Sequence, residues 1–279
     1  MKITINQFLH ETNNSDKLLI ILIFLFPFLL STSIFLADLF ASVSALVVIF
    51  LIFFKENQKI FSQLKFETYY FLVFYLIILI SLIFSISFEI SFLPSFFYFR
   101  YFLLAVGIYY LFKKYSFFKN IIFFSLIFTF SLLTFDAIFQ NIFAYNIIGY
   151  ERGKDPTPYV TSFFDDEKKL GSFFVRLLPV LLSIIYFLDL KKFNSYIILI
   201  AGYVIFLSSE RTALFLYIIL MFSYFLIIKN KIKFLIISSF IIFIFFSFNE
   251  KLKKKYIDYT LMQIGFIETS WNKNYVGKK

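Results

Sequence analysis

The four arginines of this chain are the side chains best suited to chemistry. They are Arg100, Arg152, Arg176 and Arg211, in a sequence of 279 residues whose 27 basic side chains are otherwise lysines. A guanidinium is always charged and presents a planar fork that binds two phosphate oxygens at once, whereas an ammonium is a point charge. We therefore predict a site for a multiply charged anion such as phosphate, with Arg211 and Arg176 as its main contacts.

Three further polar residues are candidates for the same site. Asp136 and Gln140 are four residues apart, so on a helix they share one face, where an acid beside an amide could orient sugar hydroxyls. Glu210 precedes Arg211 directly. Structural alternatives to these roles stay open. Asp136 and Gln140 could anchor a helix end. Each arginine could reach the lipid headgroups or pair with a carboxylate such as Glu210 or Asp136.

The sequence gives little support for a metal or a cofactor. Asp165, Asp166 and Glu167 could bind a divalent ion, but three consecutive acids are more typical of a solvated helix start. The chain has no cysteine, and its one histidine, His10, lies in a polar segment, so we predict no metal site. No nucleotide-binding motif or serine–histidine–aspartate arrangement is present, and we predict no cofactor.

Composition defines the class of protein. The chain is 61% hydrophobic and 24% aromatic, with 47 Phe and a mean hydropathy of +0.85. A soluble domain of this length could not cover so much apolar surface, so we predict a multi-pass membrane protein. The lysines that give the net charge of +10 lie between the apolar runs, which indicates loop charges that set the membrane topology. This argues against nucleic acid as a partner.

Nine apolar runs approach the length that a membrane-spanning helix needs. We therefore predict an all-α transmembrane bundle of about nine spans over residues 18–248, after an N-terminal segment of residues 1–17. The second, eighth and ninth runs are short, so one of them could be re-entrant. The predicted spans are 18–36, 39–54, 69–88, 95–112, 120–139, 173–190, 195–209, 213–228 and 234–248.

Lysines mark alternate connections between these spans, and positive charge favours the cytoplasmic side. This places the N-terminus in the cytoplasm, and the loop 140–172, the turn at Glu210–Arg211 and the segment 249–279 on the outer face. Arg100 and Arg176 then lie at the outward starts of spans 4 and 6, so all four arginines face outward. Four lysines of the last segment break the pattern: Lys251, Lys253, Lys254 and Lys255.

An ordered set of short motifs between Phe97 and Phe248 resembles the bacterial O-antigen ligase and O-antigen polymerase superfamily. The motifs are Asp136-Ala-Ile-Phe-Gln140, Asn146-Ile-Ile-Gly149, Ser162-Phe-Phe-Asp-Asp-Glu167, Gly171-Ser-Phe-Phe with Pro179, and Leu207-Ser-Ser-Glu-Arg211-Thr-Ala213.

The resemblance implies a metal-independent, inverting glycosyl transfer at the outer face of the bacterial inner membrane. The donor would be a glycan on undecaprenyl diphosphate, and the acceptor a lipid A core sugar or another lipid-linked glycan. Outward arginines would hold the diphosphate, with Arg211 as the clearest match and Arg176 as the next. The family's later outer loop carries an important histidine that this chain lacks, so we expect an incomplete member with no assigned catalytic residue.

Two alternative functions stay open at this point. The chain could be a transporter or flippase for a lipid-linked oligosaccharide, or a membrane fragment without catalytic activity. A coupled transporter places ionisable side chains near the bilayer midplane and breaks its helices with glycine or proline. Asp136 and Arg176 are predicted near the outer end and glycine is scarce, which favours the transferase.

Overall fold

The computed structural model describes residues 8, 10–54, 63–153, 159–165 and 167–227. Within these ranges the chain is helical, with no strand and two isolated bridges, Tyr145 to Glu151 and Gly153 to Tyr159. Short 3-10 turns lie at Ser162–Phe164 and Lys191–Phe193. The described helices are α1 (Asn14–Thr32), α2 (Ile34–Phe54), α3 (Lys65–Ile83), α4 (Phe88–Phe96), α5 (Phe99–Lys114), α6 (Phe118–Phe143), α7 (Leu170–Phe187), α8 (Asn194–Ser208) and α9 (Arg211–Ile227).

Among the residues that the structure describes, six helical segments are long and apolar enough to cross a membrane, which makes this a multi-pass membrane protein. They are α1, α2, α3, the α4–α5 segment, α6 and α7. The helices α8 and α9 are apolar but shorter, with 15 and 17 residues. The predicted span 234–248 and the segment 249–279 lie outside the described residues, so the count of nine spans and the cytoplasmic N-terminus stay predictions.

The helix boundaries differ from the predicted spans in several places. The predicted first span, 18–36, runs past the end of α1 at Thr32 into α2, and the third, 69–88, runs past the end of α3 at Ile83. The predicted fourth span, 95–112, crosses a break: α4 ends at Phe96 and α5 begins at Phe99. The predicted loop 140–172 is shorter, since α6 continues to Phe143 and α7 starts at Leu170. Apolar length shows where a chain can lie in a membrane, whereas backbone hydrogen bonds decide where its helices break.

The chain forms two compact units, residues 1–129 and 130–279, and the boundary between them falls inside α6. In unit 1, α1, α2 and α5 pack against one another. Gly107 permits the close approach of α5, because a Cβ there would lie 2.6 Å from Val48 Cγ2 and 3.5 Å from Leu19 Cδ2. A face of small residues on α2, including the fully buried Ala41, serves the same packing.

Two ion pairs fix α5 to the helices beside it. Near its start, Arg100 Nη2 lies 2.8 Å from Asp38 Oδ1 of α2. At its end, Lys114 Nζ lies 2.6 Å from Asp16 Oδ2 of α1. Each pair joins the same helix to a different neighbour, so α5 is held at both of its ends.

Unit 2 is built on α7, α8 and α9, which all pack against one another. Phe174 of α7 is fully buried and lies 4.6 Å, ring centroid to ring centroid, from Phe130 of α6. Gly202 of α8 faces the ring of Tyr217, whose hydroxyl donates to the Ile198 carbonyl at 2.9 Å. This packing brings the start of α7 and the start of α9 to one end of the unit.

Candidate anion site

The carboxylate of Glu210 ties the start of α7 to the start of α9. Its Oε1 accepts the Gly171 N–H at 2.6 Å, and its Oε2 accepts the Ser172 N–H at 3.0 Å and the Ser172 hydroxyl. The N–H groups in the first turn of a helix have no partner within that helix, and the helix dipole favours a negative charge there. Glu210 therefore caps α7 from the neighbouring connection.

Glu210 is only 7% exposed. Burial raises the pKa of its carboxyl group, and the hydrogen bonds from Ser172 and Gly171, together with the positive charge of Arg176, offset part of that rise.

Arg176 and Arg211 lie on the two helices that this cap joins. Arg211 is the first residue of α9, directly after Glu210, and is half-buried. Arg176 is exposed and lies in the second turn of α7, one turn beyond the capped N–H groups. These are the two arginines from which the sequence predicted the strongest anion contacts.

Gln140 organises the end of the long connection between α6 and α7. Its Oε1 accepts the N–H groups of Thr161 and Ser162 at 2.9 and 2.8 Å. Its Nε2 donates to the Tyr150 carbonyl at 3.3 Å and to Thr161 Oγ1 at 3.3 Å. One fully buried amide thus joins two stretches of this connection to α6.

Asp136 and Asn146 complete the same network, and neither side chain is exposed to solvent. Asp136 accepts the Ile147 N–H at 2.9 Å and the Ser162 hydroxyl at 2.5 Å. Asn146 donates to the Ser162 carbonyl at 2.8 Å, and its Oδ1 accepts three successive N–H groups, those of Ile148, Gly149 and Tyr150. The structure gives Asp136 and Gln140 a role in shaping the connection, while their contact with sugar stays a prediction.

This network reaches the turn that carries Glu210. The Val160 N–H donates to the Leu207 carbonyl at 3.1 Å, three residues before Glu210. Ser162, which all three network residues contact, has a left-handed backbone with φ 55°, and Ser209 has φ 58°. Left-handed residues other than glycine persist only where the surroundings hold them, and they are common at functional sites.

The other two arginines are placed differently. Arg152 donates from its guanidinium to the Asn141 carbonyl at 3.3 Å, which holds it against the end of α6. Arg100 belongs to unit 1, where Asp38 pairs with it and Tyr101 OH lies 3.2 Å from Nη2. The carboxylate that pairs with Arg100 is thus Asp38, a residue that the sequence analysis did not propose as a partner. The diphosphate-binding role of Arg152 and Arg100 stays a prediction.

The acidic run is partly described. Glu167 is exposed and forms an ion pair with Lys169, Asp165 has φ 54°, and Asp166 lies outside the described residues. Among the residues that the structure describes, no group of three or more potential metal ligands comes together. His10 is exposed.

Sequence reasoning missed several residues that build the site. Gly171, Ser172 and Asn146 stood in the motifs quoted for the resemblance, but no role was assigned to them. For Gly171 the available clue was the presence of a glycine at the start of an apolar helix. In the structure a Cβ at this position would lie 3.0 Å from Ala213 Cβ and would collide with Ser208 Oγ. Such a glycine indicates close helix approach.

No protein-family model, curated protein or solved structure matches this chain. The resemblance to the O-antigen ligase and polymerase superfamily therefore rests on the motifs quoted above.

Proposed function

We propose that this protein is a membrane glycosyltransferase of the O-antigen ligase or polymerase type. It would transfer a glycan from undecaprenyl diphosphate to a lipid A core sugar or to another lipid-linked glycan at the outer face of the bacterial inner membrane. The observation that carries the proposal is the tie that Glu210 makes between the start of α9, where Arg211 lies, and the start of α7, whose second turn carries Arg176.

The chemistry of such a transfer fits two fixed guanidinium groups. An acceptor hydroxyl oxygen bonds to the anomeric carbon of the donor sugar while the bond from that carbon to the diphosphate oxygen breaks. Negative charge then grows on the departing diphosphate. Cations that are already in position stabilise this developing charge more effectively than groups that must reorganise. We assign no residue to the proton of the acceptor hydroxyl.

Several ionisable groups lie at helix ends, which fits an enzyme better than a coupled transporter. Asp16 is the third residue of α1, Lys114 is the last residue of α5, and Glu210 lies between α8 and α9. A coupled transporter needs such groups near the middle of its spans. Asp136 lies about two turns before the end of α6 and is bonded to backbone and hydroxyl groups of the adjoining connection.

The proposal predicts that Arg211→Lys weakens diphosphate binding although the positive charge is retained. An ammonium cannot bind two phosphate oxygens in the bidentate manner of a guanidinium. Loss of one charge-assisted hydrogen bond corresponds to a Kd about tenfold higher. The measurement is binding of undecaprenyl diphosphate to the purified chain in lipid nanodiscs, followed by glycan transfer from a lipid-linked donor in vesicles.

Undecaprenol, which has the same hydrocarbon chain without phosphate, is the matched control ligand. Its binding should be equal in the parent chain and in Arg211→Lys. Equal affinity of both proteins for undecaprenyl diphosphate would remove the bidentate role of Arg211, and a parent chain with no preference for the diphosphate over the alcohol would remove the proposed function.

A further inference from the structure

Glu210 joins the two helix starts of the candidate anion site, and its surroundings argue against a role as a general base. Both carboxylate oxygens already accept hydrogen bonds from Gly171 and Ser172, and the residue is 7% exposed. A general base must reach the proton it removes with a free lone pair in a suitable direction. In this arrangement the helix cap occupies the carboxylate.

We propose instead that Glu210 is a positioning residue that fixes the spacing of Arg176 and Arg211. This inference rests on the proposed function for the ligand that the two arginines bind. The geometry itself follows from the hydrogen bonds of Glu210. The carboxylate holds the start of α7, and the backbone carbonyl of Glu210 accepts the Leu214 N–H at 3.0 Å, so the same residue also begins α9.

The two helix starts touch directly around this residue. Gly171 lies so close to Ala213 and Ser208 that a Cβ could not be added without displacement. Arg176 follows Gly171 by five residues along α7, and Arg211 follows Glu210 by one residue. Because each arginine sits on a helix whose first turn is bonded to Glu210, that side chain helps to set the spacing of the two helix starts from which the guanidinium groups extend.

Charge and geometry make opposite predictions for the loss of this carboxylate. Its negative charge lowers the attraction of the two arginines for an anion, so removal of the charge alone would tighten diphosphate binding. Its hydrogen bonds hold the two helix starts in register, so removal of the bonds would loosen the spacing and weaken two-point binding. The sign of the change in affinity therefore separates the two roles.

The experiment uses spin labels to measure the spacing directly. The chain contains no cysteine, so Val180→Cys and Phe215→Cys introduce unique attachment sites. Both positions are exposed, at 47% and 64%, and each lies one turn beyond an arginine on the same helix face. Electron–electron distance distributions are then compared among the labelled parent chain, Glu210→Gln, Glu210→Ala and Glu89→Gln, which alters an exposed glutamate.

We expect the distribution to broaden in Glu210→Gln and further in Glu210→Ala, and to stay unchanged in Glu89→Gln. In unlabelled proteins the Kd for undecaprenyl diphosphate should rise about tenfold in Glu210→Ala, since a misplaced guanidinium loses a charge-assisted hydrogen bond. Ser172→Ala removes the hydroxyl donor to Glu210 and leaves Glu210 in place, so the distance distribution should broaden less. This variant replaces Glu210→Ala in the experiment if Glu210→Ala does not fold.

Unchanged distances in both Glu210 variants would overturn the positioning role. Unchanged distances with tighter binding in Glu210→Gln would assign Glu210 a purely electrostatic role and would overturn it as well. If the parent chain does not bind undecaprenyl diphosphate, the proposed function fails, whereas the distance measurement still decides whether Glu210 sets the spacing of α7 and α9.

Discussion

Two buried aspartates, one in each unit, are satisfied by different kinds of partner. Asp16 in unit 1 accepts hydrogen bonds from Lys114 Nζ and Tyr115 OH, both at 2.6 Å, and from Tyr110 OH at 3.3 Å. Asp136 in unit 2 is bonded to one backbone N–H and one serine hydroxyl. The first carboxylate joins two helices through a cation, whereas the second shapes a connection through neutral donors.

The backbone shows the same contrast. Among the described residues, all five non-glycine residues with positive φ belong to unit 2: Ala144, Ser162, Asp165, Asp189 and Ser209. Unit 1 thus shows regular helices joined by two ion pairs, while in unit 2 the left-handed Ser162 is held by hydrogen bonds to Asp136, Gln140 and Asn146. Since strained conformations are common at binding and catalytic sites, this difference favours unit 2 as the functional half.

The largest effect should come from removing the cation in unit 1. Lys114→Met leaves the Asp16 carboxylate buried without its counter-charge, and such a loss costs about 3 kcal/mol of unfolding free energy. This is the lower end of the usual range, because the Lys114 side chain is 36% exposed. Denaturation of the purified protein in mixed micelles, followed by circular dichroism, provides the measurement.

Lys113→Met is the matched control, since Lys113 is the adjacent lysine, is exposed and lies over the Tyr109 ring. It should change the unfolding free energy little. The double variant Asp16→Asn with Lys114→Met should recover part of the loss, and equal losses in the two lysine variants would show that the ion pair does not stabilise unit 1.

The next largest effect should come from the hydrogen-bond network of Asp136, Gln140 and Asn146 in unit 2. Gln140→Leu keeps a similar volume but leaves the buried N–H groups of Thr161 and Ser162 without their acceptor, at a cost of about 2 kcal/mol. Limited proteolysis should then cut the connection between α6 and α7 faster than in the parent chain.

Gln63→Leu provides the comparison for this variant, because Gln63 is exposed and bonds only to the exposed Tyr109 hydroxyl among the contacts described for it. It should leave the rate of cleavage between α6 and α7 unchanged. A connection that resists proteolysis equally in Gln140→Leu would mean that Asp136 and Asn146 suffice to hold it.

The smallest effect should be a gain. Ser209 has φ 58°, and its buried hydroxyl has no hydrogen-bond partner among the described residues. Ser209→Gly removes both penalties and should raise the unfolding free energy by about 1 kcal/mol. Ser208→Gly is the opposing control, because Ser208 is helical and its hydroxyl bonds to the Ile205 carbonyl. A loss of stability in Ser209→Gly would indicate that the serine side chain contributes to the turn.

The sequence predicted the local features of this molecule well. The apolar runs located the helices, and the four-residue spacing of Asp136 and Gln140 placed both side chains on the face that meets Ser162. These features follow from helical periodicity and the length of an apolar run. Guanidinium chemistry and the resemblance selected Arg176 and Arg211 as the main anion contacts, and that role stays a prediction.

The contacts between distant residues could not be predicted in the same way. Glu210 bonds to Gly171 across 39 residues, and Tyr101, which also contacts Arg100, bonds to Asp38 across 63. Neither pairing leaves a periodic signal, because it depends on which helix faces meet. The partner of Arg100 was missed for this reason, and so was the cap on α7.

The two ion pairs of α5 have a consequence for how the nascent chain matures. Only Ser33 separates α1 from α2, and the two helices pack as a tight hairpin that carries Asp16 and Asp38. The partner of Asp16 is synthesised 98 residues later. Both acids therefore gain their cationic partners only after α5 has been synthesised.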